Sequence, residues 1–195
     1  MRIVLASSSA IRRAMLEAAG IELDVVPAVI DEVQAKARLA QAPPLDVALE
    51  LAKAKAIAVS EDRPDDWVIG SDSVITVGAR MFDKPANRSA AAEHLRLFSG
   101  NTMQLTSGVA LARNGAIDWS YRDTATLHVR TLSDAFIEAY LAREWPQVSY
   151  CVGVFRIEGP GVQLFDHIDG DHFTILGMPL LPLLGALRQR GVIAA

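Results

Sequence analysis

Apolar and polar positions alternate along this chain with two different periods, and the switches between them outline its elements. Arg2-Ile3-Val4-Leu5 reads as a short buried strand, and it runs into Ala6-Ser7-Ser8-Ser9 before a helical pattern through Met15, Leu16 and Ala19. Leu23 to Val26 predicts a second strand that ends at Pro27, and Gln41-Ala42-Pro43-Pro44 is a loop. From Leu45 to Ser60 the apolar residues Leu45, Ala48, Leu49, Ala52, Ala56 and Val59 follow a helical period. Asp66 to Gly70 and Ser73 to Val77 predict strand, turned at Gly78-Ala79, and Arg88 to Phe98 predicts a helix stopped by Ser99-Gly100. Met103 to Ala112 and Ala116 to Thr131 pair as a hairpin across Arg113-Asn114-Gly115, because Asn-Gly suits a tight turn. Ser133 caps a helix through Arg143, with Leu132 and Ile137 as a hydrophobic staple. Val152 to Ile157 and Val162 to Ile168 read as strands around Gly159-Pro160-Gly161, and Leu180 to Gln189 is a last helix ended by Gly191. Strands and helices so mixed predict one α/β unit with a cleft.

Composition narrows the function classes. The chain has 195 residues, 51% of them hydrophobic and 22% charged, which suits a globular protein with a sizeable core. A net charge of -4 argues against a dedicated nucleic-acid binder. The single cysteine, Cys151, excludes an internal disulfide and a four-cysteine zinc site. Met1-Arg2 leads into only three apolar residues, so no signal peptide is expected. The apolar stretch Ile175 to Leu187 is broken by Gly177, Pro179, Pro182 and Gly185, so no membrane span is expected. The expected location is the cytoplasm.

Four places could carry chemistry. A strand running into Ser7-Ser8-Ser9 at a helix start, followed by Arg12 and Arg13, can present backbone N–H groups and guanidinium forks to a phosphate. The same residues also fit a plain strand–helix junction with Ser9 as N-cap and two solvated arginines. Asp31-Glu32 is a carboxylate pair in a loop after a strand, suited to a hard cation or to a solvated turn. Asp72 interrupts the apolar run from Val68 to Val77, where a carboxylate must face a cleft or be paired. It is a candidate general base or metal-bound carboxylate; a strand-edge turn cap is the alternative. Lys84, held extended before Pro85, and Lys55 on the helix could neutralise phosphates or lie solvated, whereas Lys53 falls on another face. The Asp166, His167, Asp169, Asp171 and His172 cluster around Gly170 reads as a turn, since no two histidines stand four apart. No P-loop and no Gly-x-Ser-x-Gly elbow is present.

Taken in order, these pieces resemble the Maf family of nucleoside triphosphate pyrophosphatases. The resemblance rests on Leu5-Ala6-Ser7-Ser8-Ser9 with Arg12-Arg13, Asp31-Glu32, Leu51-Ala52 with Lys55-Ala56, and Ile69-Gly70-Ser71-Asp72. Lys84-Pro85, Leu97-Phe98-Ser99-Gly100, Glu158-Gly159, and Gly170-Asp171 with Ile175 to Leu180 complete it over residues 1–195, read as a single domain. The resemblance implies a mixed α/β fold of the inosine-triphosphatase type, two lobes around a deep cleft. It implies hydrolysis of a nucleoside triphosphate to the monophosphate and pyrophosphate, with a divalent cation, magnesium or manganese, in a house-cleaning role. Asp72 and Glu32 would be the catalytic and metal-binding carboxylates. Ser7, Ser9, Arg12, Arg13, Lys55 and Lys84 would hold the phosphates, and Ile11, Ser73 and Glu158 would stand where base choice is made. A homodimer is implied, and neither nucleic acid nor membrane as partner.

Departures from the family pattern sharpen this. Ala10 replaces a usual proline, Met103 a frequent histidine, and Ile11 the arginine or tryptophan that separates the subfamilies. Glu158, Ser99-Gly100-Asn101 and Tyr150-Cys151-Val152-Gly153 lean toward the 7-methyl-GTP branch rather than the dTTP/UTP branch. A different class of function, a nucleotide-binding regulator of septum formation with little turnover, is the alternative.

Overall fold

The computed structural model describes residues 2–194. Its elements run β1 (Ile3–Leu5), α1 (Ala10–Ala18), β2 (Asp24–Val25), α2 (Glu32–Arg38), α3 (Pro44–Asp62), β3 (Trp67–Val77) and β4 (Arg80–Phe82). They continue with α4 (Arg88–Phe98), β5 (Thr102–Arg113), β6 (Ala116–Val129), α5 (Asp134–Glu144), β7 (Phe165–Asp169), α6 (His172–Leu176) and α7 (Leu180–Gln189). The strand order is β2-β1-β3-β5-β6-β7, with β4 paired to β3. β1 runs parallel to β2 and β3, while β3–β4 and β6–β7 are antiparallel. This is a mixed α/β fold, as the patterning predicts.

The chain divides into two compact units, one of Met1–Ser73, Thr106–Asp123 and Asp171–Ala195, the other of Val74–Leu105 and Thr124–Gly170. In the first unit the strands are buried on both faces, so their residues alternate between two cores. Ile3, Leu5, Trp67, Ile69, Val109 and Leu111 pack with Met15 and Leu16 of α1 and Leu183 and Leu187 of α7. The intervening residues face the other way: Val4, Ala6 and Val68 pack with Val59 of α3, and Ala110 and Ala112 with Ala52 and Ala56. Helix α3 therefore covers one face of β1, β3 and β5, and α1 with α7 covers the opposite face.

The second unit holds α4 and α5, tied by ion pairs from Arg88 to Glu138 and from Arg96 to Asp134. Phe82, His94 and Phe98 form an edge-to-face aromatic cluster there. Buried Glu144 pairs with Arg156 at 2.8 Å, which supplies the partner a buried carboxylate requires.

Most predicted elements form, within a residue or two at their ends. Ser9 and Ser133 cap their helices as predicted, accepting from Arg12 N and Phe136 N. Two expectations fail. Val152 to Ile157 is not a strand: Val154 has φ 56°, its N–H closes a turn on Cys151 O, and Val154 and Phe155 are both buried. A left-handed φ at β-branched Val154 takes the chain out of strand geometry. Pro160–Leu164 is a 3₁₀ turn, so the last strand begins only at Phe165. Two helices were not predicted. In α2 no residue is buried, so no apolar period marks it; Asp31 caps it by accepting from Gln34 N at 2.9 Å. The five-residue α6 is capped by Asp171, which accepts from Thr174 N at 2.8 Å. Asp171→Ala is expected to cost about 1 kcal/mol of stability in chemical denaturation, the usual worth of an N-cap.

Candidate functional site

The candidate site lies in the first unit, where β1 ends beside the middle of β3. β1 stops at Leu5, and the last ladder bond there is Ala6 N donating to Ile69 O at 2.8 Å. The chain then turns through Ser7, whose hydroxyl accepts from Ser9 N at 3.2 Å, into the N-cap Ser9 of α1. Ser7 is buried and Ser9 half-buried. This is the strand-to-helix turn, with Ser9 as N-cap, that the sequence predicts.

β3 runs on past that point and carries Gly70-Ser71-Asp72-Ser73. Alternation puts Gly70 and Asp72 on the α3 face and Ser71 and Ser73 on the α1 face. On the α3 face, Lys55 reaches Asp72. Its Nζ donates to Asp72 Oδ1 at 2.6 Å and lies 2.7 Å from Glu32 Oε1. Both Asp72 and Lys55 are nearly buried, with side chains 13% and 11% exposed, whereas Glu32 is 47% exposed. One ammonium thus gathers two carboxylates from separate elements, β3 and the first turn of α2. The apolar run around Asp72 required a partner for that acid, and Lys55 is it. Lys53, on its different face, pairs with Glu50 at the surface.

On the α1 face sits Arg12, buried and with all three of its guanidinium nitrogens bonded to the protein. Nε donates to Gly177 O at 2.9 Å, Nη1 to Ser71 O at 2.8 Å and to Ser7 Oγ at 3.3 Å, and Nη2 to Ser73 Oγ at 2.9 Å. Burial pulls its pKa below the usual arginine range, and the charges of Asp72 and Glu32 oppose that shift. Ser73 Oγ also meets Ser107 Oγ at 2.8 Å, and Ser107 donates to Thr174 O at 2.9 Å. Sequence patterning gave no sign of Gly177 as the common acceptor. The available signal was its place after α6 and before Met178-Pro179. Gly177 takes φ 110° and closes the helix, with its own N–H and that of Met178 returning to Phe173 O.

The remaining candidates are placed differently. Arg13 is exposed and bonded to Glu17 at 2.7 Å along α1. Ile11 is half-buried in the first turn of α1. Lys84 and Glu158 both belong to the second unit and are exposed. Lys84 lines a hollow of about 320 Å³ with Arg80, Phe82, Asp83, Pro85 and His94. The Asp166 to His172 region is the end of β7, a glycine turn at Gly170 and the cap of α6, and no cluster of three metal-ligating side chains occurs among the described residues. Cys151 is half-buried, and burial pushes its thiol pKa up to about 11, away from reactivity.

The donor set at Lys55 fits a hard divalent cation of the magnesium type. Such an ion keeps several waters and takes one or two protein carboxylates together with substrate phosphates. Glu32 and Asp72 provide two carboxylates already converged on a cation, the Lys55 ammonium.

Comparison with known proteins finds relatives over nearly the whole chain. A protein of Rhizobium etli named 7-methyl-GTP pyrophosphatase is 47% identical, over 98% of each chain. A protein of Granulibacter bethesdensis named nucleoside triphosphate pyrophosphatase is 44% identical, over 97% of each. Among solved structures, a HAM1 protein from Coxiella burnetii aligns with a TM-score of 0.45 and 15% identity, covering 66% of this chain and 73% of its own. No helix among the described residues is long and apolar enough to cross a membrane. The model of the family described as Maf-like protein matches residues 2–190, and the chain belongs to that family.

Proposed function

We propose that this protein is a nucleoside triphosphate pyrophosphatase, hydrolysing its substrate to the nucleoside monophosphate and pyrophosphate. The observation that carries the reading is the pair of carboxylates, Asp72 and Glu32, held on one lysine beside a strand-to-helix turn of serines. The names of relatives more than 40% identical over nearly the whole chain support the same reaction.

The chemistry asks for a water nucleophile, a base to orient and deprotonate it, and positive charge around the phosphate oxygens. Asp72 is the base in this reading: it is seated in β3, nearly buried and paired with Lys55. Glu32 sits on the exposed first turn of α2, where its carboxylate can turn between Lys55 and a bound ion. Glu32 and Asp72 would hold a magnesium or manganese ion, which when bound supplies charge neutralisation and a more acidic water. Lys55 carries the charge that meets the phosphates, and the N–H groups at the α1 start with Ser7 and Ser9 cradle them. Lys84 supplies a further cation. Arg13, turned to Glu17, has to leave that pair to contribute. Ile11, Ser73 and Glu158 are the positions of base choice, with 7-methyl-GTP as the first substrate to try. One domain over 1–195, working as a cytoplasmic homodimer, completes the proposal.

The test is pyrophosphate release from a panel of canonical and methylated nucleoside triphosphates, with magnesium, with manganese and with chelator. Metal-dependent release concentrated on one or two bases is the expected result. Nucleotide-dependent thermal stabilisation without release would replace the enzyme by the septum-linked nucleotide-binding regulator.

A further inference from the structure

We infer that Arg12 is a positioning residue for Asp72, standing in for the piece of β1 that the sheet lacks, and that it is not a phosphate contact. This rests on the pyrophosphatase reading for its catalytic consequence, but its structural half stands without it.

The parallel ladder explains why an arginine is needed. β3 pairs with β1 in the register Ile3↔Trp67, Val4↔Val68, Leu5↔Ile69, and Ala6 N bonds Ile69 O. In a parallel pair the donors recur every second residue, so the next rung would be the residue-8 N–H on Ser71 O. The chain has already left the sheet there to form the phosphate-suited turn. Ser71 O, next to Asp72, would be a buried carbonyl without a donor. Arg12 Nη1 fills that position at 2.8 Å. The other arms of the fork hold Ser73 Oγ and Gly177 O, so the residues on both sides of Asp72 are fixed by one planar group.

Face assignment points the same way. Lys55 and Asp72 are on the α3 face of β3, while Arg12 approaches from the α1 face with Ser73 and Gly177. The Nη1 hydrogens go to Ser71 O and Ser7 Oγ, Nη2 to Ser73 and Nε to Gly177, which accounts for four of the five N–H groups. A phosphate could reach only the one remaining Nη2 hydrogen without breaking a bond of this fork. Lysine cannot replace this group, because a point charge has no fixed fork to span four acceptors.

Two variants and three readouts decide it. Arg12→Lys keeps the charge and removes the fork; Ser73→Ala keeps Arg12 whole and removes one arm's acceptor. For Arg12→Lys, kcat is expected to fall about 100-fold, the scale of a misplaced catalytic group. KM and the Kd for inorganic pyrophosphate should stay within about threefold of wild type. Amide exchange of the peptide over residues 69–77 should speed up in Arg12→Lys and, more weakly, in Ser73→Ala. The inference is overturned if Arg12→Lys keeps most of kcat, or if pyrophosphate binding weakens tenfold while exchange over 69–77 is unchanged. Should Arg12→Lys not fold, Ser73→Ala decides through exchange: unchanged protection of 69–77 overturns the clamp. Wild-type protein without turnover would defeat the pyrophosphatase reading alone, since exchange and pyrophosphate binding still report on Arg12.

Discussion

Asp72→Asn is expected to lower pyrophosphate release by about 100- to 10,000-fold, the usual range for loss of a positioned general base. KM should change little, since the substitution keeps the side chain's size and leaves the serine turn and Lys84 in place. The fold should also survive. Asp72 is nearly buried, and in its absence Lys55 retains Glu32 at 2.7 Å, so no buried charge is left without a counter-ion. Steady-state kinetics beside a thermal melt separates the two effects. A fall in kcat with the melt nearly unchanged assigns Asp72 to the chemistry. Activity within threefold of wild type would remove Asp72 from the reaction and leave its pair with Lys55 a structural one.

Asp72 was legible in the sequence for a physical reason. A carboxylate inside the apolar run Val68 to Val77 cannot be buried alone, so its position announces a partner. The helical spacing of Leu45 to Val59 likewise separates Lys55 from Lys53 and predicts that they face different surroundings. Other parts could not be read. Helix α2 buries nothing, so the position of Glu32 at its first turn was hidden by the absence of any apolar period. The segment Val152 to Ile157 has strand composition, yet Tyr140 Oη donates to Val154 O and holds a turn there. That bond joins residues 14 apart, beyond any local propensity. Arg12 is the sharpest case. Arginine after a serine-rich turn suggests a phosphate site; two of the acceptors its guanidinium meets are main-chain carbonyls 59 and 165 residues away. No residue type announces a carbonyl acceptor, so these contacts could not be read from the sequence.

The second large effect is expected from Gly70→Ala. A Cβ at Gly70 would stand 2.1 Å from Ala52 O, 2.6 Å from Ala56 N and 2.8 Å from Ala56 Cβ. These are backbone and Cβ atoms of α3, which no rotamer change can move. Gly108 on β5 meets the same helix in the same way, at 2.7 Å from Ala48 O. Helix α3 therefore lies directly on the strands over its small residues Ala48, Ala52 and Ala56, and one added methyl must lift it. The cost should be about 3 kcal/mol, the upper part of the overpacking range. At roughly 2–4 °C per kcal/mol for a domain of this size, the melting temperature should fall by about 6–12 °C. Activity should fall as well in protein that is still folded, because Lys55 rides on α3 and reaches Asp72, two residues beyond Gly70, at 2.6 Å. Gly185→Ala is the control. Gly185 lies inside α7 with open space around its Cβ position, so alanine there should be neutral or should stabilise by about 0.5–1 kcal/mol. A Gly70→Ala protein that melts with the wild type would mean that α3 does not sit this close to β3. The short reach from Lys55 to Asp72 would then lose its structural basis.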